Sequence, residues 1–250
     1  VKALVGGRDF RADQVNLGLG NCPDEASIER ILRGSRPKLS PACGPTDGID
    51  GGGSGRSPGS SIKPIVLAAA FAQNIPPTLV VDGSAYRDPR CGKREKCTVI
   101  KNYEGAAYGS VDLRQATIRS VNTAYARLGF EIVGIENVAK MAQKLGITSA
   151  WYDPRAFGPS YSLGGIDVSP LEMASAYSVF AGRGKRAPVT PILTITDANG
   201  KVLEDNLSRQ PRQVISERVA ELRMRSIASL ISASFSMYVS VVGTYASGWK

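Results

Sequence analysis

The stretch Arg56-Ser-Pro-Gly-Ser60-Ser-Ile-Lys63-Pro-Ile-Val-Leu-Ala-Ala-Ala-Phe-Ala72 determines the centre of the fold. It predicts a helix over residues 60–73, because Gly59 breaks the preceding chain and Asn74 with Pro76-Pro77 stops the helix. The body of this helix is apolar on nearly all of its faces. Such a pattern is typical of a helix buried in the middle of a domain, and the rest of the fold is expected to pack around it.

The chain contains no histidine, which restricts its possible chemistry. Ser-His-Asp and Cys-His nucleophile systems, histidine-ligated metals and imidazole bases are excluded. Ser60 and Lys63 lie one helical turn apart, where apolar surroundings lower the pKa of a lysine towards that of a usable base. The spacing alone is weak evidence, since Ser-x-x-Lys recurs at 35–38 and 247–250, and only Ser60 opens an apolar helix. The alternative is an ordinary N-cap serine followed by a solvated lysine.

A second polar pair, Ser120 and Asn122, forms the only Ser-x-Asn in the chain. It lies between a predicted helix over 112–119, capped by Asp112, and another helix that begins near Asn122. Short polar side chains at such a break can project into a cleft, where a hydroxyl relays a proton and an amide holds a substrate carbonyl. The alternative is that Asn122 merely caps the helix that follows it.

The remaining periodicity predicts more helices and one hairpin. The second helix carries Ala124, Leu128 and Ile132 on a common side. The further elements are an amphipathic helix over 136–145 closed by Gly146, a helix opened by Ser169-Pro170, and a hairpin over 191–203 turned at 197–200. Helices with an antiparallel strand pair indicate an α+β fold rather than a doubly wound parallel sheet.

Charge and composition limit the partners. The net charge of +9 suggests a polyanionic neighbour such as nucleic acid, an anionic lipid surface or an acidic wall polymer. The basic residues are scattered and only 7% of residues are aromatic, so nucleic-acid binding is not expected. Residues 226–249 are uncharged, but their many serines favour a helix and a buried strand over a transmembrane helix.

Residues 17–55 are rich in Gly, Pro and Ser, and they are predicted to form a surface insertion with one short helix near 25–33. The four cysteines, Cys22, Cys43, Cys91 and Cys97, lack the Cys-x-x-Cys spacing of a zinc or redox site, so no metal is expected. They could form two disulfides, Cys22 with Cys43 and Cys91 with Cys97, or remain free thiols in a reducing compartment.

Three motifs occur together in an order and spacing that point to one family. They are 56–64 around Ser60 and Lys63, Leu113-Arg-Gln-Ala116 followed by Ser120-Val-Asn-Thr123, and Leu163-Gly-Gly-Ile-Asp-Val-Ser169-Pro-Leu-Glu-Met-Ala-Ser-Ala-Tyr177. Together they resemble the transpeptidase domain of penicillin-binding proteins, particularly the bifunctional class A kind. Residues 1–10 resemble the opening strand and turn of that family. The resemblance implies one partial transpeptidase domain over residues 1–250, in which an antiparallel sheet packs with helix clusters, as in serine β-lactamases and transpeptidases.

The resemblance also implies roles and partners. It makes Ser60 the acylated nucleophile, Lys63 its general base, Ser120 the proton relay and Asn122 a substrate-amide binder. The implied reaction attacks the D-alanyl-D-alanine bond of a peptidoglycan stem peptide and passes the acyl group to an amine, without a cofactor; penicillins and other β-lactams would block it. The implied location is the extracytoplasmic side of the cell membrane, and the membrane is contacted through a segment outside this chain. In that location the cysteines are expected to be oxidised in the two pairs named above.

One motif of the family, Lys-Thr-Gly, has no counterpart in the chain. We therefore expect a chain that is incomplete at both ends. It is expected to lack the C-terminal strands of the sheet and one of the two oxyanion donors.

Two other functions remain open. A serine β-lactamase would need a carboxylate to activate the deacylating water, and Glu172 lies in a context that resembles the transpeptidase pattern instead. A non-catalytic, penicillin-binding-like wall scaffold is the other alternative.

Overall fold

The structure is a computed structural model that describes residues 55–91, 99–147, 157–190 and 192–221. The predicted opening strand, the insertion apart from Gly55, the other three cysteines and residues 226–249 lie outside these residues. The chain divides into two compact units. The helix-rich unit comprises Gly59–Met141, Phe157–Gly165 and Arg218–Lys250, and the hairpin unit comprises Val1–Pro58, Ala142–Ala156 and Ile166–Glu217.

Helix α1, Lys63–Ala72, forms the core of the helix-rich unit, and all of its residues up to Phe71 are buried. A 3-10 helix, Gly59–Ile62, precedes it. The predicted α-helix therefore begins too early at Ser60. Pro64 has no N–H to donate to the Ser60 carbonyl, so the α-helical hydrogen bonds cannot extend back to this residue and the chain adopts a tighter turn. The N-cap interpretation of Ser60 is wrong, because Ile62 occupies the N-cap position.

Helices α2, Leu113–Ile118, and α3, Asn122–Arg127, flank the predicted break. Asp112 caps α2 as predicted, since its side chain accepts a hydrogen bond from the Gln115 N–H. The capping interpretation of Asn122 is wrong, because Val121 is the N-cap of α3. Asn122 is the first residue of the helix, and its side chain is left available for other contacts.

A π-helical turn, Leu128–Ile132, follows α3 and corrects one prediction. The Val133 N–H donates to the Leu128 carbonyl at 2.8 Å, so the chain winds more widely here than in an α-helix. The wider turn changes which side chains share a face. Ala124 and Leu128 are fully buried, but Ile132 is 41% exposed, so the prediction that Ile132 shares a side with them is wrong.

Short strands complete the helix-rich unit. Strand β1, Val80–Asp82, pairs antiparallel with β4, Ser110–Asp112, and β2, Tyr86–Arg87, pairs antiparallel with β3, Val99–Ile100. Helix α3 contacts β1, β2 and β3, and it also contacts a 3-10 helix, Gly158–Leu163. These contacts hold the start of α3, where Ser120 and Asn122 lie, against the core. Helix α4, Ile135–Lys144, ends before Gly146 as predicted.

The hairpin unit contains helix α5, Pro170–Ala181, and two strand pairs. Ser169 caps α5 by accepting a hydrogen bond from the Glu172 N–H, as the Ser-Pro sequence predicts. Strand β5, Lys185–Arg186, pairs with β8, Arg212–Gln213, and β6, Thr194–Thr196, pairs with β7, Val202–Asp205. The hairpin of β6 and β7 confirms the hairpin prediction, with shorter strands than the apolar run suggested.

The prediction of an α+β fold is confirmed. Over the described ranges, the strands form four two-stranded antiparallel sheets among helices. No helix in these ranges is both long enough and apolar enough to cross a membrane.

Candidate active site

Lys63 is the centre of a polar cluster inside the helix-rich unit. Its side chain is almost fully buried at the start of α1. Its Nζ lies 2.7 Å from the Ser120 carbonyl oxygen, 2.9 Å from the Ser120 Oγ and 2.7 Å from the Asn122 Oδ1. An ammonium has three N–H donors, so these three oxygens satisfy it completely. The structure thus brings together three of the four predicted site residues around one nitrogen.

The surroundings of Lys63 favour its neutral form. Burial lowers the pKa of Lys63 to about 7, because desolvation penalises the charged ammonium. The three oxygen acceptors and the Tyr125 ring, whose centroid lies 5.3 Å from Nζ, interact favourably with an ammonium, so desolvation is the cause of the lowered pKa. The lysine can therefore exchange a proton near neutral pH, as the apolar sequence of α1 predicts.

Ser120 connects Lys63 to Ser60. The Ser120 Oγ donates a hydrogen bond to the Ser60 Oγ at 3.2 Å and accepts one from Lys63. Ser60 is exposed and lies on the 3-10 turn before α1. In the described residues Lys63 makes no hydrogen bond to Ser60 itself, so the two predicted partners communicate through Ser120.

The backbone of Ser120 is strained, with φ of +51° in the left-handed region. This conformation occurs between α2 and α3, and it turns both the carbonyl oxygen and the hydroxyl of one residue towards the same lysine. Non-glycine residues seldom adopt it, since it costs about 1–2 kcal/mol. The strain lies at the residue that joins the two candidate catalytic side chains.

Asn122 has a defined amide orientation. Its Oδ1 accepts from Lys63, and its Nδ2 lies 3.5 Å from the carbonyl oxygen of Lys101, a long contact. The lysine donor fixes which end of the amide faces inwards, because an amide nitrogen cannot accept that hydrogen bond. The N–H groups of Asn122 remain directed away from Lys63.

Asn102 supports this cluster, although sequence reasoning did not single it out. Its Oδ1 accepts from the Thr123 backbone N–H at 3.1 Å and lies 3.1 Å from the Thr123 hydroxyl. Its Nδ2 donates to the carbonyl oxygens of Gly83 and Ala106, both at 3.1 Å. The Thr123 hydroxyl donates its own proton to the Gly83 carbonyl oxygen at 2.7 Å. The buried Asn102 amide thus uses both of its N–H groups and accepts from the Thr123 backbone N–H, and these hydrogen bonds hold the residue next to Asn122. No local sequence signal marks such a long-range contact.

Cys91 forms a disulfide bond in the structure, and its partner lies outside the described residues. The pairing with Cys97 therefore stays a prediction, as does the pairing of Cys22 with Cys43. In the ranges that the structure covers, no group of three or more His, Cys, Asp or Glu side chains could hold a metal ion.

Comparison with protein families identifies the chain. A family model described as the penicillin binding protein transpeptidase domain matches residues 54–229. The chain belongs to this transpeptidase family. The matched residues include Ser60, Lys63, Ser120 and Asn122, so the whole cluster lies inside the transpeptidase domain.

Curated relatives of this transpeptidase domain are penicillin-binding proteins. Penicillin-binding protein 1A of Aquifex aeolicus is 36% identical over 156 residues, which cover 61% of this chain and 20% of the relative. Penicillin-binding protein 2D of Bacillus subtilis is 31% identical over 189 residues, which cover 75% of this chain and 26% of the relative. The chain thus spans 20% to 26% of the length of these relatives.

Solved structures share the transpeptidase fold. The penicillin-binding protein PonA1 from Mycobacterium tuberculosis matches with a TM-score of 0.59 at 28% identity, over 69% of this chain and 47% of that chain. An imipenem acyl-enzyme complex of penicillin-binding protein A from the same organism matches with a TM-score of 0.60 at 22% identity, over 70% of this chain and 43% of that chain.

Proposed function

We propose that the chain is the D-alanyl-D-alanine transpeptidase part of a peptidoglycan-synthesising penicillin-binding protein, with Ser60 as the nucleophile. The observation that supports this most strongly is the hydrogen-bonded series from Ser60 through Ser120 to Lys63. It joins an exposed hydroxyl to a buried amine whose pKa is about 7, in a chain of the transpeptidase family. This arrangement supplies a nucleophile and a base without histidine.

In the proposed acylation, the Ser60 Oγ attacks the carbonyl carbon of the penultimate D-alanine of a stem peptide. The Ser60 proton moves to the Ser120 Oγ, and the Ser120 proton moves to the neutral Lys63 amine. The peptide C–N bond then breaks, and the leaving D-alanine takes a proton back through the same two side chains. The products are a Ser60 ester and free D-alanine. Removing the Ser60 proton in this way generates the oxyanion nucleophile where it is needed.

In the proposed second step, an amine of a neighbouring stem peptide attacks the Ser60 ester. Its proton passes through Ser120 to Lys63, the ester C–O bond breaks, and Ser60 recovers its proton. A new amide bond cross-links the two peptides. Asn122 is the proposed substrate binder, since its Oδ1 is engaged by Lys63 while its Nδ2 has only a long contact with Lys101.

β-Lactams would react at the same serine, because they present a strained amide to the nucleophile. The lifetime of the resulting ester separates a transpeptidase from a serine β-lactamase. Across the described residues, no carboxylate hydrogen-bonds to Ser60, Lys63, Ser120 or Asn122. A transpeptidase is expected to keep the ester for a long time, whereas a serine β-lactamase uses a carboxylate to activate the water that hydrolyses it.

The proposed location is the extracytoplasmic side of the cell membrane, where peptidoglycan is assembled. The disulfide at Cys91 supports an oxidising compartment, because reducing systems keep cytosolic thiols from forming stable disulfides. Contact with the membrane is proposed through a segment outside this chain.

Labelling with a fluorescent penicillin tests the proposed nucleophile. We expect the 250-residue protein to be labelled covalently and the Ser60→Ala variant to remain unlabelled. Ser61 carries the adjacent hydroxyl and serves as the control, so the Ser61→Ala variant should keep its labelling. A labelled peptide that maps to Ser61 or Ser35 would refute the assignment of Ser60. The absence of covalent labelling in the folded wild type would support the scaffold alternative, and rapid loss of the label would support a β-lactamase.

A further inference from the structure

The proposed mechanism gives no task to residues 163–165, although this Leu-Gly-Gly sequence belongs to the third motif. Gly164 ends the 3-10 helix Gly158–Leu163 with φ of +77°. A Cβ atom on Gly164 would lie 2.7 Å from the Gly59 Cα, and closer still to the nitrogen and oxygen of Gly59. The two backbones are therefore in direct contact, and only glycine fits at position 164.

This contact lies directly behind the proposed nucleophile, because Gly59 precedes Ser60 in the chain. Gly59 also has a positive φ, of +51°, yet a Cβ atom there would meet no heavy atom within 4 Å. The packing is thus specific to Gly164, whose lack of a side chain lets the turn approach the Gly59 backbone. Hydrogen bonds from the Gly164 N–H to the Tyr161 carbonyl and from the Gly165 N–H to the Ser160 carbonyl hold this turn.

The segment that carries Gly164, residues 158–165, also packs closely against other parts of the helix-rich unit. A Cβ atom on Gly129 would lie 2.8 Å from the Ser162 Cβ, so the π-helical turn packs closely against the middle of the segment. At the start of the segment, Gly158 packs against the Arg90 side chain. Arg90 is itself held by an ion pair with Asp88 and by the Phe130 ring, whose centroid lies 5.1 Å away.

We propose that Gly164 is a positioning residue for Ser60, and that its missing side chain allows residues 158–165 to set the position of the Gly59–Ser60 backbone. This inference rests on the proposed function of Ser60. The position matters because the Ser60 and Ser120 oxygens are 3.2 Å apart, already long for a hydrogen bond between hydroxyls. A further displacement of Ser60 would break the hydrogen bond to Ser120 that connects it to Lys63.

Substitution of Gly164 by alanine tests the inference against a matched glycine. Gly200 has a similar φ of +81°, but a Cβ atom there would meet nothing within 4 Å. Both alanine variants thus place a Cβ atom on a backbone of similar positive φ, and only Gly164→Ala adds the collision with Gly59. We expect Gly164→Ala to lower the rate of acylation by fluorescent penicillin about 100-fold, as small misplacements of reacting groups do. Gly200→Ala should acylate like the wild type.

The pH profile of acylation separates positioning from general loosening of the fold. Gly164 touches the Gly59 backbone and not the hydrogen bonds of Lys63, so the pH midpoint of Gly164→Ala should equal that of the wild type. A loosened core would hydrate Lys63 and move the midpoint upwards. An upward move in Gly164→Ala would therefore overturn the inference.

Gly129→Ala provides a second control, because its collision is with the Ser162 and Val66 side chains of the same packed region. It should lower the melting temperature and change acylation less than Gly164→Ala does. Equal acylation rates for Gly164→Ala and Gly200→Ala would overturn the inference, as would a Gly164→Ala protein that does not fold, since the contact would then serve the fold. Absence of Ser60 labelling in the wild type would instead overturn the proposed function.

Discussion

The Ser120 hydroxyl donates a hydrogen bond to the Ser60 hydroxyl at 3.2 Å, while Lys63 donates to the same Ser120 oxygen at 2.9 Å. Ser120 achieves this with a left-handed backbone, at φ of +51°, which also directs its carbonyl oxygen to Lys63. One strained residue therefore makes two of the three hydrogen bonds that Lys63 donates. Because Ser120 combines a strained backbone with a proposed role in proton transfer, substitutions there can separate the effect on stability from the effect on acylation.

We predict that Ser120→Ala and Ser120→Gly both lower the penicillin acylation rate about 100-fold, the usual contribution of a proton-transfer group. Their stabilities should differ. Glycine adopts a positive φ without the Cβ penalty, so Ser120→Gly should be more stable than Ser120→Ala by about 1 kcal/mol. Acylation kinetics and urea unfolding of the two variants test this, and equal stabilities would show that the left-handed backbone is not retained in solution.

We predict that the acylation rate of the wild type rises with pH through about 7 and then levels off. The pKa of Lys63 is lowered to about 7 by burial, and only the neutral amine can take the proton. Lys63→Arg should lose acylation despite keeping the charge, since arginine stays protonated. Stopped-flow acylation of both proteins between pH 5 and 9 would test this. A loss of less than about tenfold in Lys63→Arg would contradict the base role.

Lys63 should also make the stability of the fold depend on pH. Its pKa is about 7 when folded and 10.5 for an unperturbed lysine, so between these values the unfolded chain holds one more proton. The free energy of unfolding should then rise with pH, by up to about 1.4 kcal/mol per unit. Lys63→Met should lose this dependence. Urea unfolding of both proteins at pH 7, 8.5 and 10 tests it, and a wild-type stability that falls over this window relative to Lys63→Met would contradict it.

Asn102 should contribute more to stability and to acylation than Asn206, which is equally buried. Asn102→Ala removes hydrogen bonds to Thr123, Gly83 and Ala106, and the buried groups left unpaired should cost about 1–3 kcal/mol. Asn206 is also 8% exposed, but within the described ranges its Oδ1 has no hydrogen-bond partner, so Asn206→Ala should cost less. Thermal unfolding compares the two, and acylation should fall only in Asn102→Ala. Equal effects of the two substitutions would show that Asn102 does not support the start of α3.

Non-reducing peptide mapping should find Cys91 linked to Cys97 and Cys22 linked to Cys43 in protein made in an oxidising compartment. Cys91 is disulfide-bonded in the structure, and the short separation from Cys97 makes the first pair a local loop. Alkylation of all four thiols without reductant would contradict both pairs. Linkage of Cys91 to Cys22 or Cys43 would replace them with another pattern.

Local signals in the sequence are sufficient for the elements that depend on them. The Asp112 cap, the Ser169-Pro170 start of α5 and the Gly146 stop after α4 each involve neighbours within one turn, and the structure has all three. The apolar body of α1 likewise predicts its burial, which extends from Lys63 to Phe71, and through it the lowered pKa of Lys63. These predictions hold because the relevant energies are set by adjacent residues.

The predictions that fail depend on geometry that local patterns do not encode. Periodicity assumes a constant helical pitch, so it cannot anticipate the π-helical turn that exposes Ile132. The spacing of Ser60 and Lys63 does not reveal that their hydrogen-bonded connection passes through Ser120, a residue far along the chain. Gly164 and Asn102 gain their importance from distant partners, Gly59 and Thr123, which only the folded chain brings together.

The three oxygens around Lys63 accept all three N–H groups of the ammonium, and this sets the direction of the hydrogen bonds. While Lys63 is an ammonium, donors point outwards from Lys63 to Ser120 and from Ser120 to Ser60. A neutral amine has only two N–H groups and a lone pair, so the Ser120 hydroxyl can rotate to donate to Lys63 and accept from Ser60. The hydrogen bonds then point the opposite way, from Ser60 to Ser120 and from Ser120 to Lys63. Gain or loss of one proton by the buried Lys63 thus reverses the direction of both hydrogen bonds. Ser60 accepts a hydrogen bond when Lys63 is charged, and it donates one when Lys63 is neutral.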